Sequence, residues 1–350
     1  MRRFHELSSD ELAALDIGAV NLECAEGLIG SENLDVEACV AKLDQWADAV
    51  RATTVRRWPS FERDPANYEN SVPYFCMLVM LTVLQRDLGV RYNLNSWERP
   101  YDGTDSRLHF IHGLLQGHGG SCESMPVLYA AVGRRLGYPL KLVPVYRHII
   151  VRWDDSQTGT RFNIESTCQG LKCDPDEYYM TWPDRLSPES VAEGWMLQSM
   201  SPKEELAFFY SIRSHCFRDW YDYRNMLDMA YHASHLLSEK DPRHRDLHAL
   251  ATVLHRQFAW GGIQYGVKKT TGEVVALQNG KMRDAAPWEA NCVRYAIEDF
   301  DRLKLIHEAR QKRQADRAAD DFYAAFADAP EYLSTDSTYP EEPLSCTTLR

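Results

Sequence analysis

Gly117-His118-Gly119-Gly120-Ser121-Cys122 runs straight into Glu123-Ser124-Met125-Pro126-Val127-Leu128-Tyr129, and the apolar helical stretch from Met125 to Leu136 stops at Gly137. Glycines at 119 and 120 let the backbone bend and approach a ligand without a Cβ penalty. The spacing predicts Cys122 in the first turn of a helix, where unpaired N–H groups and the positive end of the dipole favour an anion. A thiol so placed is expected to drop in pKa from about 8.5 towards neutrality, and the thiolate is the reactive form. Pro126 is compatible with a first turn. Gly137 reads as the residue just past the helix end, with Pro139 beyond it.

Strands are expected next. Leu140-Lys141-Leu142-Val143 is short, partly β-branched and bounded by Pro139 and Pro144. His148-Ile149-Ile150-Val151-Arg152-Trp153 and Arg161-Phe162-Asn163-Ile164-Glu165 flank a polar loop, Asp154 to Thr160, that contains Gly159. With Trp153 opposite Thr160 in an antiparallel hairpin, Val151 faces Phe162 and Ile149 faces Ile164, all on one apolar face. His148 then falls directly opposite Glu165 on the other face, beside Asn163. Opposed Cβ atoms lie about 4.5–5.5 Å apart, close enough for an imidazole–carboxylate hydrogen bond.

A thiol at a helix N-terminus, with a histidine and an acid on paired strands, is the layout of a cysteine nucleophile with its base and orienter. Cys122 is the expected nucleophile, His148 the general base and then acid, and Glu165 the orienter. Asn163 is the fallback orienter, since an amide can also hold an imidazole. Gln116 is the candidate oxyanion donor beside the Cys122 N–H. Structural readings compete with each assignment. A cysteine is usually a small buried hydrophobe, Glu165 could pair with Arg161 or Arg152 at the surface, and Gln116 could be solvated on a loop. His112 and His118 with Cys122, and Cys168-x₄-Cys173, lack the closely paired ligands of a structural zinc site. No metal and no cofactor is expected.

The run from Gly119 to Tyr129, then Arg134-Arg135-Leu136-Gly137-Tyr138-Pro139, then His148 to Trp153, then Phe162-Asn163-Ile164-Glu165-Ser166-Thr167, resembles the transglutaminase-like superfamily. Within it, the chain is similar to the bacterial branch related to SirB1 proteins. The motif-bearing likeness runs from about Asn93 to Gly170, and a weaker one to the helical arm of SirB1-type proteins covers Asn21 to Val50. The resemblance implies an α+β fold with a papain-like core, in which a helix bearing the cysteine packs on a sheet bearing the histidine and the acid. It also implies chemistry of the kind carried out by cross-linking transglutaminases, peptidases and deglycosylating amidases. Two departures stand out. Many SirB1-type proteins have lost the cysteine, whereas Cys122 is kept here, and the usual aspartate is replaced by Glu165, one methylene longer.

Three regions and a tail are expected. Residues 1–94 read as a helical, SirB1-like N-terminal region. There Ser8-x-x-Glu11 resembles a capping box, and Asp35 caps a helix whose Val36, Val40, Leu43, Ala47 and Val50 share one face. Ser71 to Leu88 is apolar nearly all round, as in a buried helix. Residues 95–200 form the transglutaminase-like core. Residues 201–328 read as helical again, opened by Ser201-Pro202, with Gly261-Gly262 and Thr271-Gly272 framing a small hairpin. Residues 329–350, rich in Ser, Thr, Pro and Glu, are expected to be disordered.

Composition narrows the partners. The formal net charge of −12 argues against a nucleic-acid surface. The longest apolar run, Tyr74 to Leu84, is too short to span a bilayer. Met1-Arg2-Arg3 leads into a polar amphipathic segment, so no signal peptide is expected. Nine cysteines in 350 residues is an odd and sparse set, which points to reduced thiols in a cytoplasm. The expected function is cysteine-dependent hydrolysis or transfer at an amide or acyl bond, through a thioester, on a peptide, protein or small amide substrate. The alternative is a non-catalytic interaction or regulatory protein on the same fold. A calcium-dependent cross-linker is disfavoured, because no Asp-x-Asp-x-Asp-Gly loop is present.

Overall fold

The structure is a computed structural model, and it describes residues 2–93, 104–183, 185–217, 223–238, 241, 243–244, 263–268, 271–278 and 281–285. The expected tail at 329–350, the expected boundary at 94–95 and the glycine pair at 261–262 lie outside these residues. The chain divides into two compact units, one within Met1–Arg218 and one within Asp219–Pro340.

The first unit opens with helices α1 (Ser9–Ala13), α2 (Ile17–Ala25), α3 (Val36–Arg63) and α4 (Val72–Thr82). Their starts follow from side-chain caps. Ser8 and Glu11 form the reciprocal capping box read from the sequence, and the Asp35 carboxylate accepts the Ala38 N–H. Leu43, Ala47 and Val50 are buried on one stripe of α3, as their spacing predicts. In α4, most side chains are buried. The expected single helix from Ser71 to Leu88 leaves α-helical register at Thr82. A π turn, Val83–Asp87, follows, in which the Leu88 N–H donates to the Val83 carbonyl at 2.9 Å.

Short helices α5 (Ser106–His109) and α6 (Ile111–Leu115) lead to α7 (Ser124–Arg135), then strands β1 (Leu140–Val145), β2 (His148–Asp154) and β3 (Arg161–Ile164). The strands form one antiparallel sheet in the order β1-β2-β3. Helix α7 packs against β1, β2, α2, α3 and α6. A Cβ on Gly133 would come 2.3 Å from Leu140 Cδ1, so α7 lies against the face that carries Leu140. Leu140 pairs with Trp153 and Leu142 with Val151, which puts these four on the α7 face. Val143, Val145 and Ile150 occupy the other face. There they pack with Tyr179, Leu186 and Leu197 of the segment holding α8 (Asp176–Tyr179) and α9 (Pro188–Ala192).

The β2–β3 register corrects the sequence reading by two residues. Trp153 pairs with Phe162 and Val151 with Ile164, so Glu165 falls beyond the ladder rather than opposite His148. The connecting loop explains the slip. Asp155 turns the chain back through its own side chain, which accepts the Gln157 N–H at 2.9 Å, while its backbone N–H donates to Thr160 at 3.0 Å. The strands are therefore closed by the pair Asp154–Arg161. A slip of two residues leaves every side chain on its expected face.

Arg152 is wholly buried on the His148 face. Its guanidinium donates to Asn163 Oδ1 at 2.7 Å, to the Leu197 carbonyl at 2.8 Å and to Asp176 at 2.5 Å. These bonds tie the strands to the segment that covers them.

Helix α10 (Pro202–Cys216) starts at Ser201 with a capping box to Glu204 and a proline in its first turn. The sequence reading opens its third region at this helix, but α10 packs on α1, α2 and α5 and lies within the first unit. The physical reason is a pair of arginine contacts, one buried and one half-buried. Arg213 donates to the carbonyls of Cys24 and Glu26 at 2.6 and 2.8 Å, closing the end of α2, and Arg134 forks onto Glu205. In the second unit, α11 (Tyr223–His235) is followed by β4 (Ile263–Val267), β5 (Val274–Gln278) and β6 (Lys281–Asp284), an antiparallel sheet in that order. Of the two glycine-bearing pairs expected to frame a hairpin, Thr271-Gly272 lies in the turn between β4 and β5 instead of at the hairpin's end. Strand β6 adds a third strand that no turn pair in the sequence announces. Among the described residues no helix is long and apolar enough to cross a membrane.

Candidate active site

Cys122 stands at the start of α7. Regular helix begins at Ser124, but its hydrogen bonds begin at Ser121. The Met125 N–H donates to the Ser121 carbonyl at 3.0 Å, the Glu123 N–H to Ser121 Oγ at 3.1 Å, and the Ser121 N–H to Ser124 Oγ at 2.9 Å. Ser121 is thus the working cap, and Cys122 occupies the first turn. Pro126 brings no N–H to the Cys122 carbonyl, which is why the regular helix starts later.

The glycine approach is tight. Gly120 lies beside Tyr92 in a parallel bridge, and its carbonyl accepts the Asn93 N–H at 2.8 Å. A Cβ at Gly120 would meet Ser124 Oγ at 2.7 Å and Leu114 Cδ2 at 2.8 Å. Gly120→Ala is therefore expected to push Ser124 out of the cap. The loss is about 1–3 kcal/mol of stability, read by denaturant unfolding, together with slower modification of Cys122.

His148 is the first residue of β2, after the two-residue turn Tyr146-Arg147, and Arg147 is held at φ +61°. The His148 Nε2 proton is donated to the Glu165 carboxylate, at 2.9 Å to Oε2 and 3.2 Å to Oε1. Both residues are buried, at 7% and 2% exposure, so this is a dyad screened from water. Glu165 sits two residues further along than the expected register places it, a diagonal rather than a direct neighbour, and its longer side chain spans that offset. The Thr167 N–H and hydroxyl donate to Glu165 Oε1 at 2.9 and 2.5 Å. Burial by itself would raise the Glu165 carboxyl. The His148 charge and hydrogen bond, together with Thr167, outweigh it and hold the group below the usual carboxylate range. An ionised carboxylate only accepts hydrogen bonds, so Nε2 carries the proton and the lone pair of neutral His148 is on Nδ1. Trp182 stands edge-on to the imidazole, ring centroids 5.0 Å apart.

Cys122 does not complete a hydrogen-bonded triad. Among the described residues no hydrogen bond joins its sulfur to His148, which lies with Val145 and Ile150 on the face opposite that of α7. Two groups at the hairpin end of the sheet nevertheless act on the thiol. Its burial, then the charges of Glu123 and Glu165, push the thiol up, while its own backbone N–H and Arg147 pull it down. The expected lowering is thus corrected. The helix terminus acts in the predicted direction, but the half-buried setting and two carboxylates outweigh it. Alkylation of Cys122 by iodoacetamide is accordingly expected to accelerate steadily as pH rises above neutrality. A rate already level at neutral pH would show a preformed thiolate instead.

The remaining sequence candidates are placed elsewhere. Asn163 accepts from Arg152, and its amide donates to Asp174 O at 3.1 Å and Asp176 Oδ1 at 2.7 Å, so it holds the Arg152 network rather than the imidazole. Asn163→Ala leaves a buried Arg152 N–H unpaired and is expected to cost about 1–3 kcal/mol, by denaturant unfolding, with the pH profile of Cys122 alkylation unmoved. Gln116 is exposed at the end of α6. His112 is buried and shares a hydrogen bond with Ser106 Oγ. Sequence reasoning assigned no role to Thr167, Trp182 or Glu123. Thr167, inside the quoted Glu165-Ser166-Thr167 run, is the one whose spacing could have suggested a cap on the carboxylate. Glu123 contacts His109 Nδ1 directly beside the nucleophile.

Comparison with protein families finds one likeness. Residues 37–207 match the family model of the transglutaminase-like superfamily. The matched stretch runs from α3 into α10, covers just under half of the chain, and contains Cys122, His148 and Glu165. The superfamily generally implies cysteine-based acyl transfer or hydrolysis. No curated protein and no solved structure matches the chain.

Proposed function

We propose that the chain is a cysteine-dependent acyl-group enzyme of the bacterial branch related to SirB1 proteins, with a papain-like core, acting in the cytoplasm on a peptide, protein or small amide. The supporting observation is the buried His148–Glu165 dyad, whose carboxylate also acts on the thiol at the N-terminus of α7. Cys122 Sγ attacks the substrate carbonyl carbon as His148 Nδ1 accepts the thiol proton. The C–N or C–O bond then breaks, and His148 returns that proton to the leaving amine or alcohol. Water or an amine attacks the resulting thioester, giving its proton to Nδ1, and the thiol is restored as the S–C bond breaks. Glu165 keeps the imidazole in the tautomer this requires and stabilises the imidazolium. Because the resting thiol is protonated, proton transfer accompanies attack instead of preceding it. The step needs Nδ1 and Sγ within hydrogen-bond reach, a contact that often tightens only when substrate binds. The test is single-turnover acetylation by p-nitrophenyl acetate, with wild type expected to release nitrophenolate faster than Cys122→Ala.

A second reading is favoured by one observation, the missing hydrogen bond between Cys122 and His148. It makes the chain a non-catalytic interaction or regulatory protein. Equal nitrophenolate release by wild type and Cys122→Ala would select it.

A further inference from the structure

We propose that Gln85 is a positioning residue that sets the loop carrying Glu165 against the helix carrying Cys122. The inference rests on the reaction proposed above. Gln85 lies in the π turn after α4, remote in sequence from the nucleophile helix and from the acid. Its Nε2 donates to the Tyr129 hydroxyl at 2.8 Å and to the Cys168 carbonyl at 3.1 Å, and its Oε1 accepts the Gly170 N–H at 2.7 Å. Both amide protons and an acceptor lone pair are therefore engaged.

The partners give these bonds their meaning. Tyr129 is fully buried in α7, seven residues after Cys122. Cys168 and Gly170 belong to the loop closed by the Glu165–Lys172 bridge, where the Glu165 N–H donates to Lys172 O at 2.9 Å. The same loop carries Thr167, which grips the Glu165 carboxylate. One amide thus ties the helix of the nucleophile to the loop of the acid, and through Glu165 to His148. An apolar side chain would continue the buried run of Tyr74 to Leu84 without any demand for hydrogen bonds. An amide held by three partners fixes a relative position instead. The π turn is what departs from regular helix here, and such turns recur at functional sites. Reacting groups misplaced by about 1 Å can lose ~100-fold in rate, so the orientation of the dyad depends on this clamp.

The experiment measures acetylation of Cys122 by p-nitrophenyl acetate as a function of pH in the full chain, with the melting temperature of each variant. Glu165→Gln removes a charge that pushes the Cys122 thiol up, and with it the acceptor that orients His148, so its profile is expected to move to lower pH with a lower plateau. Gln85→Met, similar in length but unable to make these bonds, is expected to move the profile the same way, with a plateau about tenfold below wild type. Arg213→Met, which uncaps α2 far from the acid loop in sequence, serves as a control for general destabilisation and is expected to leave the profile in place. Tyr129→Phe removes only the α7 partner and is expected to give a smaller shift in the same direction, which decides the matter should Gln85→Met not fold. A Gln85→Met or Tyr129→Phe profile superimposed on wild type, while Glu165→Gln shifts, would overturn this inference alone. If His148→Ala and Glu165→Gln also leave the profile unmoved, the proposed reaction fails and the inference falls with it.

Discussion

His148→Ala is expected to slow acetylation of Cys122 by p-nitrophenyl acetate by about 10²–10⁴-fold, the usual worth of a positioned general base. The reason is the state of the thiol. Burial and the neighbouring carboxylates Glu123 and Glu165 keep Cys122 protonated, so a base must remove the proton as sulfur attacks. His148 is suited to that step because Glu165 holds its Nε2 proton and leaves the lone pair on Nδ1. Glu165→Gln keeps the size of the side chain but loses its charge, and is expected to give a smaller loss than His148→Ala. Stopped-flow release of nitrophenolate measures both. A His148→Ala protein as fast as wild type would remove the base from the mechanism.

The second large effect concerns stability in acid. His112 is wholly buried in α6, and its imidazole is pushed down to about 4, chiefly by burial, against opposing help from the Gly30 carbonyl and Asp105. Its ordinary value is 6.5. Between those two values the unfolded chain binds more protons than the folded one, so stability rises with pH across that window. The contribution is complete above the unfolded value and is lost as pH falls towards the folded one. Each pH unit across the window is worth about 1.4 kcal/mol, so the loss on acidification is about 3 kcal/mol. Glu165, whose carboxyl is held low, adds a loss of the same sign at still lower pH. Comparison of wild type with His112→Gln separates the two, because only the histidine contribution vanishes. Urea unfolding midpoints measured at neutral pH and in mild acid should therefore converge in His112→Gln and diverge in wild type. Equal acid sensitivity in both proteins would show that His112 is protonated without penalty.

Much of this site is written in local sequence. The end of α7 is legible because Gly137, at φ +80°, lets its own N–H reach the Arg134 carbonyl and that of Tyr138 reach Gly133, a chemistry that a helix stop followed by Pro139 announces. The shared face of His148 and Glu165 is legible because strand parity survives an even slip in register. The register itself is not, since the loop is closed by the Asp155 side chain, whose choice of N–H partners no alternation pattern reveals. The charge state of Cys122 is illegible for a different reason. A helix terminus is a local feature, whereas the burial and the approach of Glu165 come from long-range packing. The π turn at Val83–Asp87 is hidden inside an apolar run that reads as continuous helix. Its only trace is a glutamine, Gln85, where the run ends.

The most direct measurement is peptide mapping by mass spectrometry of the full chain after brief treatment with p-nitrophenyl acetate, with free thiols blocked after quenching. The expected result is a single acetyl group on Cys122, absent in Cys122→Ala and strongly reduced in His148→Ala, with Cys24, Cys39 and Cys76 unacetylated. Acetylation spread evenly over accessible thiols, or Cys122 acetylated equally fast in His148→Ala, would contradict a cysteine nucleophile activated by His148.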